Sequence, residues 1–600
     1  MHLFFRITIM KEHYDRIKRL LARSPKDFEQ KIIAQLWSEE CSYKSSKAYL
    51  STLPGYSLET GLIELGDNLA LAMSVASDFK NNSRLMLEAR LKRELCTKGG
   101  EVIACLNTSY ENYNNILAAA LVTKNNITQK AEGIKNRVLC AGIFNPEFDL
   151  DKSENLKQAI KICILEQLAT AISSVGIGGL ALQFFMMANK ASTGLLLNID
   201  ELVPTDNYGN VLGDLEQIIL SEQPERIILI ADPSKIIYIK SIFENFGLFC
   251  VDIGRVTGDG IIRLSFQGQE IINLAATLIW ENAPRYRHNY QSILPKAHGS
   301  KICRLFNISL EQALLTHASC DKKALVSIGK AHKNIAISSH NTHKILDINA
   351  FEASKRAVWQ GALEVSIMGT FPRAIALSFI TNSLTRENSI AQFKQAIDGI
   401  GQAALDLFIP VTSSHINIHE NIASPALLVN ILGVGDEDIF PKISNYQEKL
   451  VLVVLGEIPT DYTGAEALFD NKTHDIGVRS WDSSNLNALC EVAREFAHYS
   501  RDFFAKVIGR GGLIAALYEL MAQSHKGICL KFGNEWLAKD LPVVLLSEDS
   551  PRIFVCLPER NLNYLIKLCA QLVPIHHMGY LTGKDLLIYH ENNLIYKTRK

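Results

Sequence analysis

The 600-residue sequence has no C-x-x-C pair: its 12 cysteines stand singly from Cys41 to Cys569. That excludes the common zinc motifs and the disulfide framework of small secreted domains, and it suits reduced thiols. An excess of either charge is also missing. With 62 Lys and Arg against 63 Asp and Glu the net charge is −1, which leaves no electrostatic footprint for nucleic acid or an anionic membrane. Long hydrophobic runs are absent as well. The longest, "GIGGLALQFFMMA" from Gly176, is too short to span a bilayer and ends at Asn189 and Lys190. The opening "MHLFFRITIM" is interrupted by Arg6 and followed by "KEHYDRIKR" instead of a small-residue cleavage site. The expectation is no signal peptide and a cytoplasmic location.

What is present is an ordinary globular composition, 47% apolar and 21% charged, in a chain too long for one core. It also carries an internal repeat. "LSEQPERIILI" (Leu220 to Ile230) reads like "LSEDSPRIFVC" (Leu546 to Cys556), and "DIGRVTGDGIIRL" (Asp252 to Leu264) like "HMGYLTGKDLLIY" (His577 to Tyr589). Upstream, "GIGGLALQFFMMANKASTGLLL" (Gly176 to Leu197) matches "GRGGLIAALYELMAQSHKGICL" (Gly509 to Leu530). Three blocks in one order at one approximate offset indicate a tandem duplication. Each copy alternates apolar helices and strands, which predicts an α/β (α+β) fold with helices packed on sheets. Ahead of both copies, "SPKDFEQKIIAQLW" has Ser24 as the expected N-cap, Pro25 at N1, Asp27 at the capping-box position and Phe28, Ile32, Ile33 and Leu36 at helical spacing. That helix delivers "WSEECSYKSSK" (Trp37 to Lys47), a polar stretch with two adjacent acids.

This stretch, the duplication and the two "LSE…R" strands together resemble the synthetase subunit of phosphoribosylformylglycinamidine synthase, a tandem duplication of the aminoimidazole ribonucleotide synthetase-like fold. The family segment W-S-E-H-C-S-Y-K-S-S is matched by Trp37, Ser38, Glu39, Cys41, Ser42, Tyr43, Lys44, Ser45 and Ser46, with Glu40 in place of the histidine. "LGDNLALAMSVAS" (Leu65 to Ser77), "ENAPRY" (Glu281 to Tyr286) and "NAFEASKRAVWQGALE" (Asn349 to Glu364) continue the likeness. The resemblance implies a helical N-terminal segment over 1–55, a shortened first N-terminal-type domain over 56–150 and its C-terminal-type partner over 151–290. A connector over 291–325 would follow, then a second pair of domains over 326–455 and 456–600. It further implies a site for ATP and magnesium that phosphorylates the amide oxygen of formylglycinamide ribonucleotide, after which ammonia from a glutaminase displaces the phosphate. Family domains also pair into a central β barrel.

Phosphoryl transfer of that kind needs carboxylates for the metal and cationic or hydrogen-bonding groups around the developing charge. Glu40, at the position of the catalytic histidine, accepts hydrogen bonds only and repels phosphate. The family's metal carboxylate falls on Ala76, and its histidine pair on Asp78 and Lys80. Only 16 residues separate Asn82 from Gly99, too few for the family's Gly-rich stretch. Ser174 replaces an aspartate, and of a substrate-contacting S-E-S-Q the chain keeps Glu222, the candidate substrate-binding residue. In the second copy, family metal and nucleotide motifs read Ser339 to Thr342, Ala376 to Ser383 and Ser413 to Asn417. Tyr43 and Lys47 correspond to family nucleotide contacts and are the nucleotide-binding candidates, although without partner carboxylates for magnesium a packing or surface role is favoured for them.

The expected function is therefore a member without catalysis, a structural or regulatory subunit docking onto a glutaminase subunit, an active synthetase paralogue or itself, with no nucleic-acid or membrane partner. An active ligase with a rearranged site is the alternative. Three local readings stay open beside it. Glu39 and Glu40 form either an acid/base pair or, as their divergent directions favour, a solvated pair at a helix end. His340, His343, His415 and His419 are either isolated histidines or a new metal site. "GIGGLA" at Gly176, with Asp200 downstream, fits G-x-G-x-x-A of a nicotinamide dinucleotide site or is a glycine pair that lets a helix pack closely.

Overall fold

The computed structural model describes residues 11–56, 61–66, 68–79, 84–110, 113–123, 130–143, 149–203, 214–222, 225–278, 281–288, 322–328, 333–342, 345–419, 422, 424–436, 441–459, 479–532, 541–548, 550–570, 572–590 and 592–597. Lys80, Asn81, Asn82, Gln223, Pro224, His343 and most of the expected 291–325 connector lie outside them. The chain divides into two compact units, one of Met1–Ala48, Leu62–Cys105 and Ile116–His288, the other of Tyr49–Gly61, Leu106–Asn115 and Asn289–Lys600.

The first unit opens with helices α1 (Lys11–Leu21) and α2 (Asp27–Leu36). Helix α2 begins later than Ser24 predicted: Lys26 is its N-cap, and the Glu29 carboxylate accepts from the Lys26 N–H at 2.8 Å. Glu29 thus caps the helix without a hydroxyl, and it also takes a bidentate ion pair from Arg23 at 2.7 Å and the Asn273 N–H at 3.0 Å. Ile32, Ile33 and Leu36 form the buried face, as their spacing requires.

A seven-stranded sheet forms the centre of this unit, in the order β11-β10-β7-β9-β5-β8-β6. Its strands are β5 (Arg137–Gly142), β6 (Ala171–Ser174), β7 (Gly194–Asn198), β8 (Arg226–Ala231), β9 (Phe249–Thr257), β10 (Ile261–Phe266) and β11 (Gln269–Ala275). Because alternate residues of a strand face opposite sides, Ile227 and Leu229 pack with α6 (Leu150–Leu165) and α9 (Ile236–Asn245). Ile228 and Ile230 pack on the other face with α7 (Gly179–Ala191) and the N-terminal helices. Strand β5 lies inside this sheet, so the sheet starts at Arg137 and not after the expected boundary at 150.

The second unit contains a sheet of the same strand order, β23-β22-β19-β21-β17-β20-β18. It runs from β17 (Leu450–Gly456) and β18 (Phe504–Ile508) through β19 (Ile528–Phe532), β20 (Arg552–Pro558) and β21 (Ile575–Leu581) to β22 (Leu586–His590) and β23 (Asn593–Lys597). Here too the expected boundary at 455 cuts a strand, since β17 begins at Leu450. The strand register shifts beside an equivalent glycine in both sheets. A Cβ on Gly254 (φ 153°) would lie 2.1 Å from the Leu196 carbonyl oxygen, and one on Gly579 (φ 147°) 2.0 Å from that of Cys529. No side chain fits either position.

The remaining sheets show how the copies differ. One is β1-β2-β4-β3, from β1 (Leu62–Gly66), β2 (Leu69–Phe79), β3 (Glu101–Tyr110) and β4 (Tyr113–Thr123). The other is β12-β13-β16-β14-β15, from β12 (Lys322–Ile328), β13 (Lys333–Asn341), β14 (Phe371–Thr381), β15 (Val411–Ile418) and β16 (Ala426–Asp436). Between β14 and β16 the chain inserts helix Glu387–Leu407 and edge strand β15, whereas β3 meets β4 across two residues. A single helix, α5 (Arg84–Thr97), joins β2 to β3 and covers the sheet with Leu87, Leu91 and Leu95. No described helix is long and apolar enough to cross a membrane. The described cysteines are free thiols and mostly buried, and burial pushes Cys140, Cys163, Cys490 and Cys556 up to about 12.

Candidate functional site

Trp37 ends α2 and anchors the acidic stretch: its indole N–H donates to the Leu278 carbonyl at 3.3 Å. Ser38 then caps a one-turn helix, α3 (Glu39–Ser42), by accepting from the Cys41 N–H at 3.3 Å. Tyr43 closes that turn in the left-handed conformation at φ 53°. The reversal brings Ser45 and Ser46 back over Glu39, whose carboxylate accepts the Ser45 N–H at 2.8 Å, the Ser46 N–H at 2.9 Å and the Ser46 hydroxyl at 2.6 Å. The expectation of a solvated pair is therefore wrong for Glu39. It is buried and satisfied, a clamp that shapes the loop.

Glu40, the next residue, is exposed. Desolvation by the surrounding protein still raises its carboxyl above the ordinary range, and the nearby Glu222 and Asp78 carboxylates push it further, with Arg90 opposing. Asp78 is near the end of β2, Arg90 is on α5, and Glu222 precedes β8. Arg90 is committed to Glu222 in an ion pair of 2.7 Å. The candidate substrate residue is thus engaged within the protein. One turn on, the buried Arg93 holds Glu225, from the same turn as Glu222, and donates to Ser153 at 3.1 Å. Sequence reading missed both arginines, because α5 stands where the family's Gly-rich stretch was expected.

Lys47 is half-buried, and its ammonium is depressed by desolvation and by Arg285 nearby. Lys47 and Arg285 form a small cationic corner, next to which the Tyr43 carbonyl accepts the Lys47 N–H at 2.8 Å and the Lys44 carbonyl accepts the Tyr286 N–H at 2.8 Å. Ala76 is fully buried on β2 in the apolar cluster beneath α5 and offers no metal donor. Among the described residues no three His, Cys, Asp or Glu side chains are placed to hold a metal ion.

Among the described residues the candidate histidines do not come together. His340 is on β13 and His415 on β15, and β16 and β14 separate these strands, a distance of about 14 Å at normal strand spacing. His419 follows the end of β15, its N–H bonded to the Thr381 carbonyl at 2.8 Å. The dinucleotide reading fails on topology. Among the described residues strand β6 pairs only with β8, antiparallel, and β7 pairs with β9 and β10, so β6, α7 and β7 are no parallel βαβ unit. Asp200 is used by the Gln267 N–H at 2.6 Å.

Residues 120–267 match the family described as AIR synthase related protein, C-terminal domain, and residues 7–44 the formylglycinamide ribonucleotide amidotransferase linker domain. Curated relatives include phosphoribosylformylglycinamidine synthase subunit PurL of Thermoanaerobacter pseudethanolicus, 22% identical and aligned over 96% of this chain and 94% of its own length. PurL of Brucella abortus is 24% identical, with coverages of 96% and 93%. Over nearly its whole length the chain is thus similar to phosphoribosylformylglycinamidine synthase subunits. Its fold agrees: Thermotoga maritima phosphoribosylformylglycinamidine synthase II superposes with a TM-score of 0.71 at 15% identity, covering 95% of this chain and all of the other. T. maritima PurL complexed with ATP gives 0.71 at 15% identity, covering 96% of this chain and all of the other. The PurLQS structure from that organism gives 0.71 at 16%, with the same coverages. Alignments of more than 700 positions against a 600-residue chain mean that these relatives carry segments this chain lacks.

Proposed function

We propose that this chain is a divergent phosphoribosylformylglycinamidine synthase homologue that no longer catalyses the amidation and acts as a structural or regulatory subunit in purine biosynthesis. The observation that carries this reading is the environment of Glu40. A carboxylate stands where the resemblance calls for a histidine, beside Asp78 and Glu222, and the local cation Arg90 is already paired. An incoming triphosphate or phosphorylated intermediate meets repulsion there instead of stabilisation. Ala76 supplies no oxygen for magnesium, so the residues present do not fit the metal the family chemistry requires.

The corner of Tyr43, Lys47 and Arg285 supports retained nucleotide contact without turnover. As partners we propose a glutaminase subunit, an active synthetase paralogue or a second copy of this chain. The PurLQS assembly of a relative supports the first. The test is direct: the purified chain is incubated with formylglycinamide ribonucleotide, ATP, magnesium and ammonia, alone and with a glutaminase partner. Background turnover with stable co-elution of the partner supports the proposal. Turnover above background brings forward an active ligase with a rearranged site.

A further inference from the structure

The duplication places one glutamate twice, and the two copies hold it differently. "LSEQPER" (Leu220 to Arg226) and "LSEDSPR" (Leu546 to Arg552) align Glu222 with Glu548. Each follows a turn pressed against the start of a 13-residue helix, α7 or Gly512–Ser524. The pressing is the same in both. A Cβ on Gly179 would lie 2.4 Å from the Ile219 carbonyl oxygen, and one on Gly512 2.4 Å from that of Leu545. Both helices are entered through a left-handed glycine, Gly178 at φ 79° and Gly511 at φ 83°.

In the second copy the buried Glu548 accepts from the Gly511 N–H at 2.7 Å, a charge-assisted cap at the positive end of the helix. In the first copy the equivalent Gly178 N–H has no acceptor among the described residues, and Glu222 pairs instead with Arg90 at 2.7 Å. We infer that Glu222 is a two-position latch, held here on Arg90 of α5 and able to swing to the Gly178 N–H, the position its counterpart Glu548 occupies. Engagement of Arg90 and capping of α7 are mutually exclusive. The Arg93 to Glu225 pair, one turn along the same helix, stays closed and serves as the pivot.

Hydrogen exchange resolved to the glycine amides tests the latch in the full chain. In the unmodified protein Gly178 should exchange about tenfold or more faster than Gly511, the difference made by one charge-assisted hydrogen bond. Arg90→Gln should slow Gly178 by a similar factor, and the double variant Arg90→Gln, Glu222→Gln should abolish that slowing. An unchanged Gly178 rate in Arg90→Gln, with the rest of the unit exchanging normally, overturns the inference. Where Arg90→Gln loosens the whole unit, an ionic-strength series on the unmodified chain decides. Salt weakens the partly exposed Arg90 pair, so slower Gly178 exchange supports the latch and an unchanged or faster rate overturns it.

Discussion

Glu39 and Glu40 share a peptide bond, and the left-handed turn at Tyr43 separates their environments. Glu39→Ala leaves the Ser45 and Ser46 N–H groups buried without an acceptor, and a loss of about 3 kcal/mol is expected in denaturant titration. Glu40→Gln acts in the opposite direction. The folded state holds this carboxyl above its unfolded value, so its ionisation opposes folding at neutral pH, and that penalty fades as pH falls through the raised value. Thermal melts should therefore show the glutamine variant more stable than the parent at neutral pH and equal to it at acid pH. Sequence alone identified the position but not its setting. Asp78, Arg90 and Glu222 are dispersed along the chain, and only the packing of α5 against the Glu222 turn brings their charges near Glu40.

At the scale of elements, α5 is the part that most changes the first copy. Arg93→Ala strands the buried Glu225 carboxylate and should cost about 3–5 kcal/mol. The loss would be read as earlier unfolding of the peptides of α5 and α6 in pulsed exchange. The duplicated sheets were legible because Gly254, Gly579, Arg226 and Arg552 occupy backbone or buried positions that accept few other residues, so the matching letters survived. Arg552 illustrates the constraint: it is fully buried and donates to the Ser547 carbonyl at 2.5 Å. Helix α2 starts later than Ser24 predicts because a carboxylate three residues into the helix does the capping expected of the hydroxyl. The extent of the shortening was half legible. The count from Asn82 to Gly99 exposed a deletion, while the absence of a counterpart to helix Glu387–Leu407 and strand β15 emerged only from the strand orders.

For the whole molecule, the proposal predicts that restoring one group restores nothing. Glu40→His should leave amidation at background, because groups that act together at a phosphoryl-transfer site are not independent and Ala76 still supplies no metal ligand. A product assay on that variant gives the result, and measurable turnover would overturn the proposal.

The buried thiols carry one more consequence. Cys140, Cys163 and Cys250 lie in or beneath the first seven-stranded sheet, while Cys490, Cys556 and Cys569 belong to the second unit. Their high proton affinity and burial keep them unreactive while the fold is closed. Each becomes alkylatable only when its own layer opens. The protein thus contains a built-in clock for each copy: the order in which these cysteines are labelled records which half of the duplicated chain breathes first.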